Sequence, residues 1–259
     1  MLSSNCIRRL MIGALLIAIA GGSSVPWQNA AFAQEKEPPK VRILLTIGGH
    51  GFEEEPFYQM FAAMPGVTYR IANLPRDAAL LKPPLRQEVD CLVMYDMVRE
   101  IPPECQASFL ELLRQGIGVV SLHHNLGAHP GWEEFRRIIG GKFMLEPGVI
   151  DGRSYAQTPW SHGEHLKIQV VDRDHPITQG VGDFEIHDET YGIFYTAPNI
   201  HVLLKTDHPK NNPILAWTTE YAASRVVYLQ LGHDRGAYEN PNYCKLLYQA
   251  ILWASGVKP

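Results

Sequence analysis

Short apolar runs without internal alternation recur along the chain, and glycine or polar residues follow each of them. The clearest run covers residues 117–122, where only Ser121 is polar, and others cover residues 41–47, 90–95 and 225–231. Runs of this kind are typical of strands that are buried on both faces of a parallel sheet. The pattern therefore predicts a sheet whose central strands are covered by helices.

Segments with helical spacing of apolar residues lie between and after these runs. They cover residues 53–64, 102–115, 131–139 and 242–254. Strands and helices alternate up to residue 139, and right-handed crossovers then place consecutive strands parallel. We therefore expect an α/β fold with a doubly wound, mostly parallel sheet.

The chain after residue 153 has a different pattern. Residues 166–171 alternate between apolar and polar, and further strands are predicted at residues 201–205 and 214–218. Alternation of this kind is typical of antiparallel or edge strands. We expect these segments to form an antiparallel extension of the same sheet, and residues 154–165 to form an irregular polar loop.

The N-terminal residues have the composition of a secretory signal peptide. Arg8 and Arg9 precede an apolar run too short to span a bilayer, and a small-residue cleavage sequence ends at Ala33. The predicted organisation is a signal peptide at residues 1–33, a flexible leader at residues 34–40 and a single domain at residues 41–257. The mature protein is then expected to be periplasmic or secreted.

The net charge and the cysteine spacing exclude several classes of protein. The full chain has a formal net charge of −4 at pH 7, and removal of Arg8 and Arg9 makes it −6. Nucleic acid is therefore not an expected partner. The remaining cysteines, Cys91, Cys105 and Cys244, lack the spacing of a disulfide framework or a zinc ribbon. No membrane span is expected after signal cleavage, and a homo-oligomer is compatible with the sequence.

Polar groups follow the predicted strands at their carboxyl ends. His50, Asp96, His124 and His233 each lie where a buried run stops. Ligands bind at this edge of an open parallel sheet, and histidine is suited to proton transfer and to metal binding. His123 and His124 cannot both face one cleft if they continue a strand. We therefore predict a functional His124 and a structural His123.

Seven short motifs, taken in order, resemble the ThuA-like (trehalose utilisation) family. They are Gly-Gly-His, Leu-His-His, Trp-x-x-Phe-x-x-Ile-x-Gly-Gly-x-Phe, Asp-His-Pro-Ile-Thr, Asp-Glu-x-Tyr, Ala-Trp and Gly-His-Asp. The resemblance implies a flavodoxin-like fold of the class I glutamine-amidotransferase type. It also implies a role in the catabolism of trehalose-type disaccharides or 3-keto-glycosides, with a small-molecule carbohydrate as the partner.

The sequence differs from the amidotransferase relatives at the position of the nucleophile, and this difference changes the reaction that we expect. Those proteins have a nucleophilic cysteine at a sharp turn from strand to helix, but the corresponding residues 120–124 contain none. Ser121 is the nearest hydroxyl, and it lacks the G-x-S-x-G elbow that would expose it. We therefore do not expect a glutamine amidotransferase, and a hydrolase or lyase is the expected class of enzyme.

The resemblance and the strand-end positions together predict a site. Glu189, His233 and His124 are expected to act in acid–base catalysis without a covalent protein intermediate. The residues expected to bind the sugar are His50, Asp96, Trp132, Asp188, Tyr191 and Asp234. The residues that could hold a divalent metal such as zinc are His50, His124, His233 and Glu189. Two alternatives stay open, a metal-dependent hydrolase and a non-enzymatic sugar-binding module of the cell envelope.

The other aromatic and histidine residues give weaker evidence for a site. Trp160 is a further candidate for an aromatic sugar-binding face, whereas the spacing of His162 does not distinguish a site from ordinary surface. Trp217 is expected in the core. His129 is expected on the surface, the usual setting of a histidine that has no partner in the pattern.

Overall fold

A mixed sheet of nine strands runs through the part of the chain that the computed structural model describes, residues 40–258. The strands in chain order are β1 (Val41–Ile47), β2 (Val67–Asn73), β3 (Cys91–Met94), β4 (Gly118–Leu122), β5 (Gly141–Lys142), β6 (Gly148–Ile150), β7 (Arg153–Tyr155), β8 (Trp160–Val170), β9 (Phe184–Tyr191), β10 (Tyr195–Thr196), β11 (His201–Lys205), β12 (Ile214–Tyr221) and β13 (Ser224–Leu229). Four of these strands lie outside the large sheet and form two small sheets, β5 with β10 and β6 with β7. The α-helices are α1 (Glu54–Ala62), α2 (Pro103–Arg114), α3 (Glu133–Ile139), α4 (Arg235–Tyr238) and α5 (Pro241–Ala254). The predicted signal peptide and the predicted leader up to residue 39 lie outside the described residues.

The strand order of the large sheet is β2-β1-β3-β4-β13-β12-β11-β8-β9. The pairings from β2 to β13 are parallel, and those from β13 to β9 are antiparallel. The parallel half has the strand order of flavodoxin-like folds. The predicted α/β class, a doubly wound sheet with an antiparallel extension, is confirmed. Within residues 40–258, no helix is both long enough and apolar enough to cross a membrane.

The central strands are buried because helices cover both faces of the sheet. All residues of β3 and β4 are buried. Val120 packs in a cluster with residues of α1 and α5, whereas Val119 packs with residues of α2 and α3. Successive strand residues point to opposite faces, so the two layers of helices lie on opposite sides. This explains why the central strands show no alternation of apolar and polar residues.

The β8–β9 hairpin bends back over the carboxyl edge of the sheet. In a flat sheet β9 would lie roughly 19 Å from β13, four strand spacings away. Instead, the Asp188 carboxylate of β9 accepts a hydrogen bond of 2.8 Å from the backbone of Gly232, just after β13. The hairpin can bend because β8 pairs with β11 only through Gln169 and Val170.

The prediction of an irregular loop at residues 154–165 is wrong. β7 ends inside this segment and β8 begins at Trp160, whose Cα pairs with that of Tyr191. The first half of β8 is largely exposed, and apart from Trp160 its side chains are polar. A strand held by backbone pairing with β9 rather than by apolar burial gives no alternation for a sequence pattern to detect.

Trp217 provides a test of the predicted core. Its side chain is fully buried, and its indole nitrogen donates a hydrogen bond of 2.8 Å to the Ile139 carbonyl at the end of α3. We expect Trp217→Ala to lower the free energy of unfolding by about 3–5 kcal/mol, because it leaves a large cavity. Urea denaturation followed by circular dichroism measures the change.

Trp160→Ala is the matched control, because Trp160 is 58% exposed. We expect this variant to change the free energy of unfolding by less than about 1 kcal/mol. Equal losses in the two variants would contradict the assignment of Trp217 to the core.

Candidate active site at the carboxyl edge of the sheet

The site begins at the turn after β4. The strand ends at Leu122, and His123 takes a φ of 49°, in the left-handed region. This conformation is uncommon for a residue with a side chain, and such residues cluster at functional sites. The turn lies within residues 120–124, which contain no cysteine.

Three side chains from distant parts of the sequence converge beside this turn. His123 Nε2 lies 3.1 Å from Glu189 Oε2 and 3.2 Å from His233 Nδ1, and the last two atoms are 3.5 Å apart. His123 follows β4, Glu189 lies on β9 and His233 lies between β13 and α4. These three residues are called the His–Glu cluster below.

The tautomer of His123 follows from its other ring nitrogen. Nδ1 lies 2.7 Å from the carbonyl oxygen of Gln230. Because a carbonyl oxygen only accepts, Nδ1 carries the hydrogen, and Nε2 of the neutral ring then has a free lone pair. That lone pair faces the Glu189 carboxylate and has the Tyr191 hydroxyl 2.9 Å away. The lone pair and the carboxylate repel each other, so a shared proton, the O–H of Tyr191 or a cation is needed to stabilise the contact.

Asp188 fixes two members of the cluster in position. Its carboxylate accepts hydrogen bonds of 2.8 Å from the backbone of Glu189 and 3.0 Å from the backbone of His233. Burial raises the pKa of Asp188 to about 6, although His123 and the backbone N–H groups act in the opposite direction. The side chain is sealed from solvent. The sugar-binding role predicted for Asp188 therefore does not fit its position, which joins β9 to the turn after β13.

The surroundings favour an ionised Glu189 and a neutral His233. Burial raises the pKa of Glu189, but a proton shared with His123 and the nearby rings of His233 and His162 outweigh it, so the pKa lies below its ordinary value. Burial and His123 lower the pKa of His233 to about 4. An ionised carboxylate and a neutral imidazole are the forms that bind a metal or accept a proton.

A cavity of about 180 Å³ opens beside the cluster. Its lining includes His50, His124, Trp160, His162, Glu189 and Tyr191. The ring of His50 lies 4.5 Å from that of His124, measured between ring centres. The structure thus brings four of the predicted site residues, His50, His124, Glu189 and Tyr191, to one cavity, with His233 in contact with Glu189.

His124 presents an unused acceptor in this region. Its Nε2 donates a hydrogen bond of 2.8 Å to the carbonyl of Tyr95, so Nδ1 of the neutral ring has a lone pair. Nδ1 is buried and has no hydrogen-bond partner among residues 40–258. Burial, with the neighbouring rings of His123 and His50, holds the pKa of His124 well below its usual range. His124 is therefore a neutral base or acceptor at neutral pH.

Both histidines of the Leu-His-His motif reach the site, contrary to our expectation. The alternation argument holds only within a strand, and β4 ends at Leu122. His123, which we expected to be structural, contacts Glu189 directly, and His124 lines the cavity. Of the predicted metal ligands, Glu189 and His233 converge with His123, whereas His50 and His124 lie against each other.

His162 is a site residue that the sequence reasoning missed. Its Nδ1 lies 3.1 Å from Glu189 Oε1, and its ring centre lies 4.3 Å from that of His233. The register of the β8–β9 hairpin shifts between Ser161 and Glu164, which places His162 opposite Glu189. If the sequence analysis had predicted a hairpin for this segment, it would have placed His162 near Glu189.

Two predicted sugar-binding residues have structural positions instead. Trp132 precedes α3 and packs against Phe109 and Phe135, with ring centres 5.9 Å away in each case. Asp234 caps α4, because its side chain accepts a hydrogen bond of 2.8 Å from the backbone of Gly236. Neither residue lines the cavity. Aromatic packing and helix capping explain their presence without a ligand.

Asp96 and His129 form a buried polar pair. Asp96 Oδ1 accepts a hydrogen bond of 2.5 Å from Thr46, and Oδ2 lies 3.8 Å from His129 Nε2. Both side chains are almost fully buried, so the surface position predicted for His129 is wrong and Asp96 is not exposed to a sugar. Burial lowers the pKa of His129 to about 4.

Comparison with known proteins agrees with this architecture. The chain resembles a ThuA-like protein from Parabacteroides merdae ATCC 43184 at 20% identity, with a TM-score of 0.69 over 85% of this chain and 91% of the other. A ThuA-like protein from Bacteroides uniformis ATCC 8492 has 17% identity and a TM-score of 0.64, over 86% of this chain and 94% of the other. PurLQS from Thermotoga maritima has 11% identity and a TM-score of 0.54, over 83% and 99%. No curated protein matches the chain.

The fold and the site together define an α/β protein of flavodoxin-like topology with a His–Glu cluster at the carboxyl edge of its sheet. The family model described as ThuA, trehalose utilisation, matches residues 25–254. The chain therefore belongs to the ThuA family, as its motifs predicted. Membership of this family supports a carbohydrate-related role.

Asp96 gives a prediction on stability and pH. Burial raises its pKa from 3.8 to about 6, so the folded protein takes up a proton near pH 6 that the unfolded chain takes up only near pH 3.8. The stability contributed by Asp96 is therefore lost as pH rises through 6. We expect Asp96→Asn to be more stable than the wild type by about 1–3 kcal/mol at pH 7.5.

The advantage of Asp96→Asn should shrink when the urea denaturation is repeated at pH 4.5. At both pH values His129, whose pKa is about 4, is mostly neutral in the folded protein, so its titration adds little to the difference. The same difference in free energy of unfolding at both pH values would contradict the raised pKa of Asp96.

Proposed function

We propose that this protein is an exported enzyme of carbohydrate catabolism that uses a divalent metal at the His–Glu cluster. Its proposed substrates are trehalose-type disaccharides or 3-keto-glycosides, which it hydrolyses. Family membership supports the carbohydrate class. The convergence of His123, Glu189 and His233 on one point supports the metal, and this is the observation on which the proposal depends.

The spacing of the cluster matches a metal site. In tetrahedral zinc sites with bonds of about 2.0–2.1 Å, ligand atoms lie about 3.4 Å apart. The corresponding atoms of His123, Glu189 and His233 are 3.1–3.5 Å apart. Two imidazoles and a carboxylate, with a further position left for water, form a common donor set of catalytic zinc. The bond from His123 Nδ1 to the Gln230 carbonyl resembles the contact that orients metal-bound histidines.

The surrounding residues suit acid–base chemistry at that point. A metal held by His123, Glu189 and His233 would lower the pKa of a water molecule and polarise a substrate oxygen. In hydrolysis, water adds its hydroxyl to carbon and a proton goes to the leaving oxygen, so no other reactant is needed. His124 is proposed as a neutral hydrogen-bond acceptor that orients a hydroxyl group at this point, because its Nδ1 is unpartnered and the residue lines the same cavity.

A metal-free acid–base enzyme is the second candidate. The distance of 3.1 Å between His123 Nε2 and Glu189 Oε2 also suits an ion pair once His123 is protonated. In this alternative, Glu189 and a histidine exchange protons with the sugar without a metal. Metal content therefore separates the two mechanisms.

Metal analysis tests the proposal directly. We expect purified protein that has been stripped with a chelator and reloaded with Zn²⁺ or Mn²⁺ to hold about one ion per chain, measured by elemental analysis and calorimetry. Glu189→Gln and His123→Gln should weaken this binding at least about 100-fold, because each removes a direct ligand. His165→Gln is the matched control, since His165 lies on β8 and contacts the exposed Glu185 instead.

Turnover of trehalose and 3-keto-trehalose, followed by product chromatography, should depend on the reloaded metal. Full activity of the stripped protein would refute the metal and favour the acid–base alternative. Saturable sugar binding without any product would instead favour the sugar-binding module.

Export is a separate prediction. The full chain, expressed in a Gram-negative bacterium, should appear in the periplasm or medium with Gln34 as its first residue. Mass spectrometry of the N-terminal peptide measures this, and a chain that lacks residues 1–33 is the control and should stay in the cytoplasm. An exported protein that still begins at Met1 would contradict cleavage at Ala33.

A further inference from the structure

A β-bulge interrupts the β8–β9 hairpin beside the site. Two residues of β8, His162 and Gly163, lie opposite a single residue of β9, Glu189, and the register of the pairing shifts there. Gly163 takes a φ of 66°, in the left-handed region that favours glycine. Bulges are over-represented next to active sites, where they redirect a side chain. The position of this bulge therefore points to a role for His162.

The bulge decides which face of the hairpin His162 occupies. Deeper in the hairpin, His165 lies on the same face as Glu189, because the partner of His165 is two residues before Glu189 in β9. Regular alternation from His165 would place Gly163 on this face and His162 on the other. The extra residue reverses the alternation, so His162 shares the face of Glu189 and contacts it.

The two carboxylate oxygens of Glu189 have different neighbours. Oε2 lies 3.1 Å from His123 Nε2 and 3.5 Å from His233 Nδ1, whereas Oε1 lies 3.1 Å from His162 Nδ1. Among residues 40–258, His162 is the only basic side chain that pairs with Oε1. A carboxylate oxygen only accepts, so the N–H group at Nδ1 of His162 is the group that attracts Oε1.

We propose that His162 is a positioning residue that keeps Oε1 of Glu189 away from the metal, so that Glu189 binds the metal through Oε2 alone. This inference rests on the metal of the proposed function and specifies how Glu189 binds it. His162 is not itself a ligand, because its ring nitrogens are not among the converging donor atoms of the His–Glu cluster.

The number of oxygens that Glu189 supplies decides whether water has a place on the metal. A carboxylate can bind a metal through one oxygen or through both. With Oε2 alone, the His–Glu cluster supplies three donor atoms, and the fourth position of a tetrahedral site stays open for water. If Oε1 also bound, it would compete with water for that position. His162 therefore acts on the step that needs water, through Glu189.

Two neighbouring rings limit the orientation of His162. Its ring centre lies 4.8 Å from that of Trp160 and 4.3 Å from that of His233. The side chain is nevertheless 53% exposed, so we expect substitutions at this position to leave the fold intact. Carboxylates that bind metals are themselves held by hydrogen bonds, and the loss of such a partner costs about 10–100-fold in metal affinity or activity.

Two substitutions separate the N–H group of His162 from its ring. Asparagine keeps an N–H donor on the atom bonded to Cγ, as at Nδ1, but has no ring, whereas phenylalanine keeps a ring without a donor. We expect His162→Phe to lower kcat for 3-keto-trehalose or trehalose about tenfold or more, with KM changed less than about twofold. His162→Asn should stay close to the wild type. If the ring alone mattered, the order of the two variants would be reversed.

Azide binding measures the open metal position without any turnover. The protein is stripped and loaded with Co²⁺ in place of Zn²⁺, and azide that enters the open position changes the visible absorption of the cobalt. We expect His162→Phe to bind azide about tenfold or more weakly than the wild type and His162→Asn, because Oε1 then competes for the position. His162→Phe should still bind Co²⁺ within about tenfold of the wild type, unlike Glu189→Gln.

His165→Phe is the matched control. His165 is the next histidine on the same face of β8, but its Nε2 lies 3.2 Å from Glu185 instead of Glu189. This variant should change neither kcat nor azide binding. Equal azide binding in His162→Phe and the wild type would overturn the proposal, and so would a His162→Asn variant that behaves like His162→Phe.

Failure of the proposed function has a separate signature. If the stripped wild type takes up no ion, the metal is refuted and the role of His162 is refuted with it. If the wild type binds both the ion and azide, and His162→Phe binds them equally well, only the role of His162 is refuted. Thermal unfolding of each variant confirms that its fold is unchanged.

Discussion

The buried carboxylate of Asp188 is the interaction on which the site depends. It binds the backbone of Gly232 and His233, on the far side of three intervening strands, and also the backbone of Glu189. These bonds hold the last strand of the sheet against the turn after β13, and the contact of the Tyr191 hydroxyl with His123 adds to them. The parallel half of the sheet supplies the histidines and the antiparallel extension supplies the carboxylate. Asp188 joins the two halves of the sheet beside the His–Glu cluster.

On each side of this junction, two residues that are adjacent in sequence have different roles. Asp188 and Glu189 point to opposite faces of β9, so one acid is sealed in hydrogen bonds and the other reaches the cavity. His123 and His124 follow a strand that has ended, so both reach the site by different routes. Side-chain direction, more than residue type, decides which member of each pair faces a ligand.

The sequence predicted the parts of the fold that depend on apolar burial. Runs such as residues 117–122 are buried on both faces, and the resemblance to the ThuA family identified the topology correctly. The sequence did not predict β8 or the contact of His162 with Glu189, because the exposed half of that hairpin is held by backbone pairing. Nor did it predict the buried Asp96–His129 pair, since a polar pair buried by tertiary packing has no periodicity.

The narrow attachment of β8 has a consequence for the dynamics of the site. Proteins open locally, in cooperative units, at a lower free energy than global unfolding requires. β8 joins the rest of the sheet through Gln169 and Val170, while the end of the hairpin that holds His162 and Glu189 is tied to the parallel half by side-chain contacts of Asp188, Glu189 and Tyr191. Local opening of that end would take Glu189 away from the histidines while the parallel half stays folded. In hydrogen exchange, amides of residues 160–165 would then exchange well before those of β4, and the site would be lost before the fold.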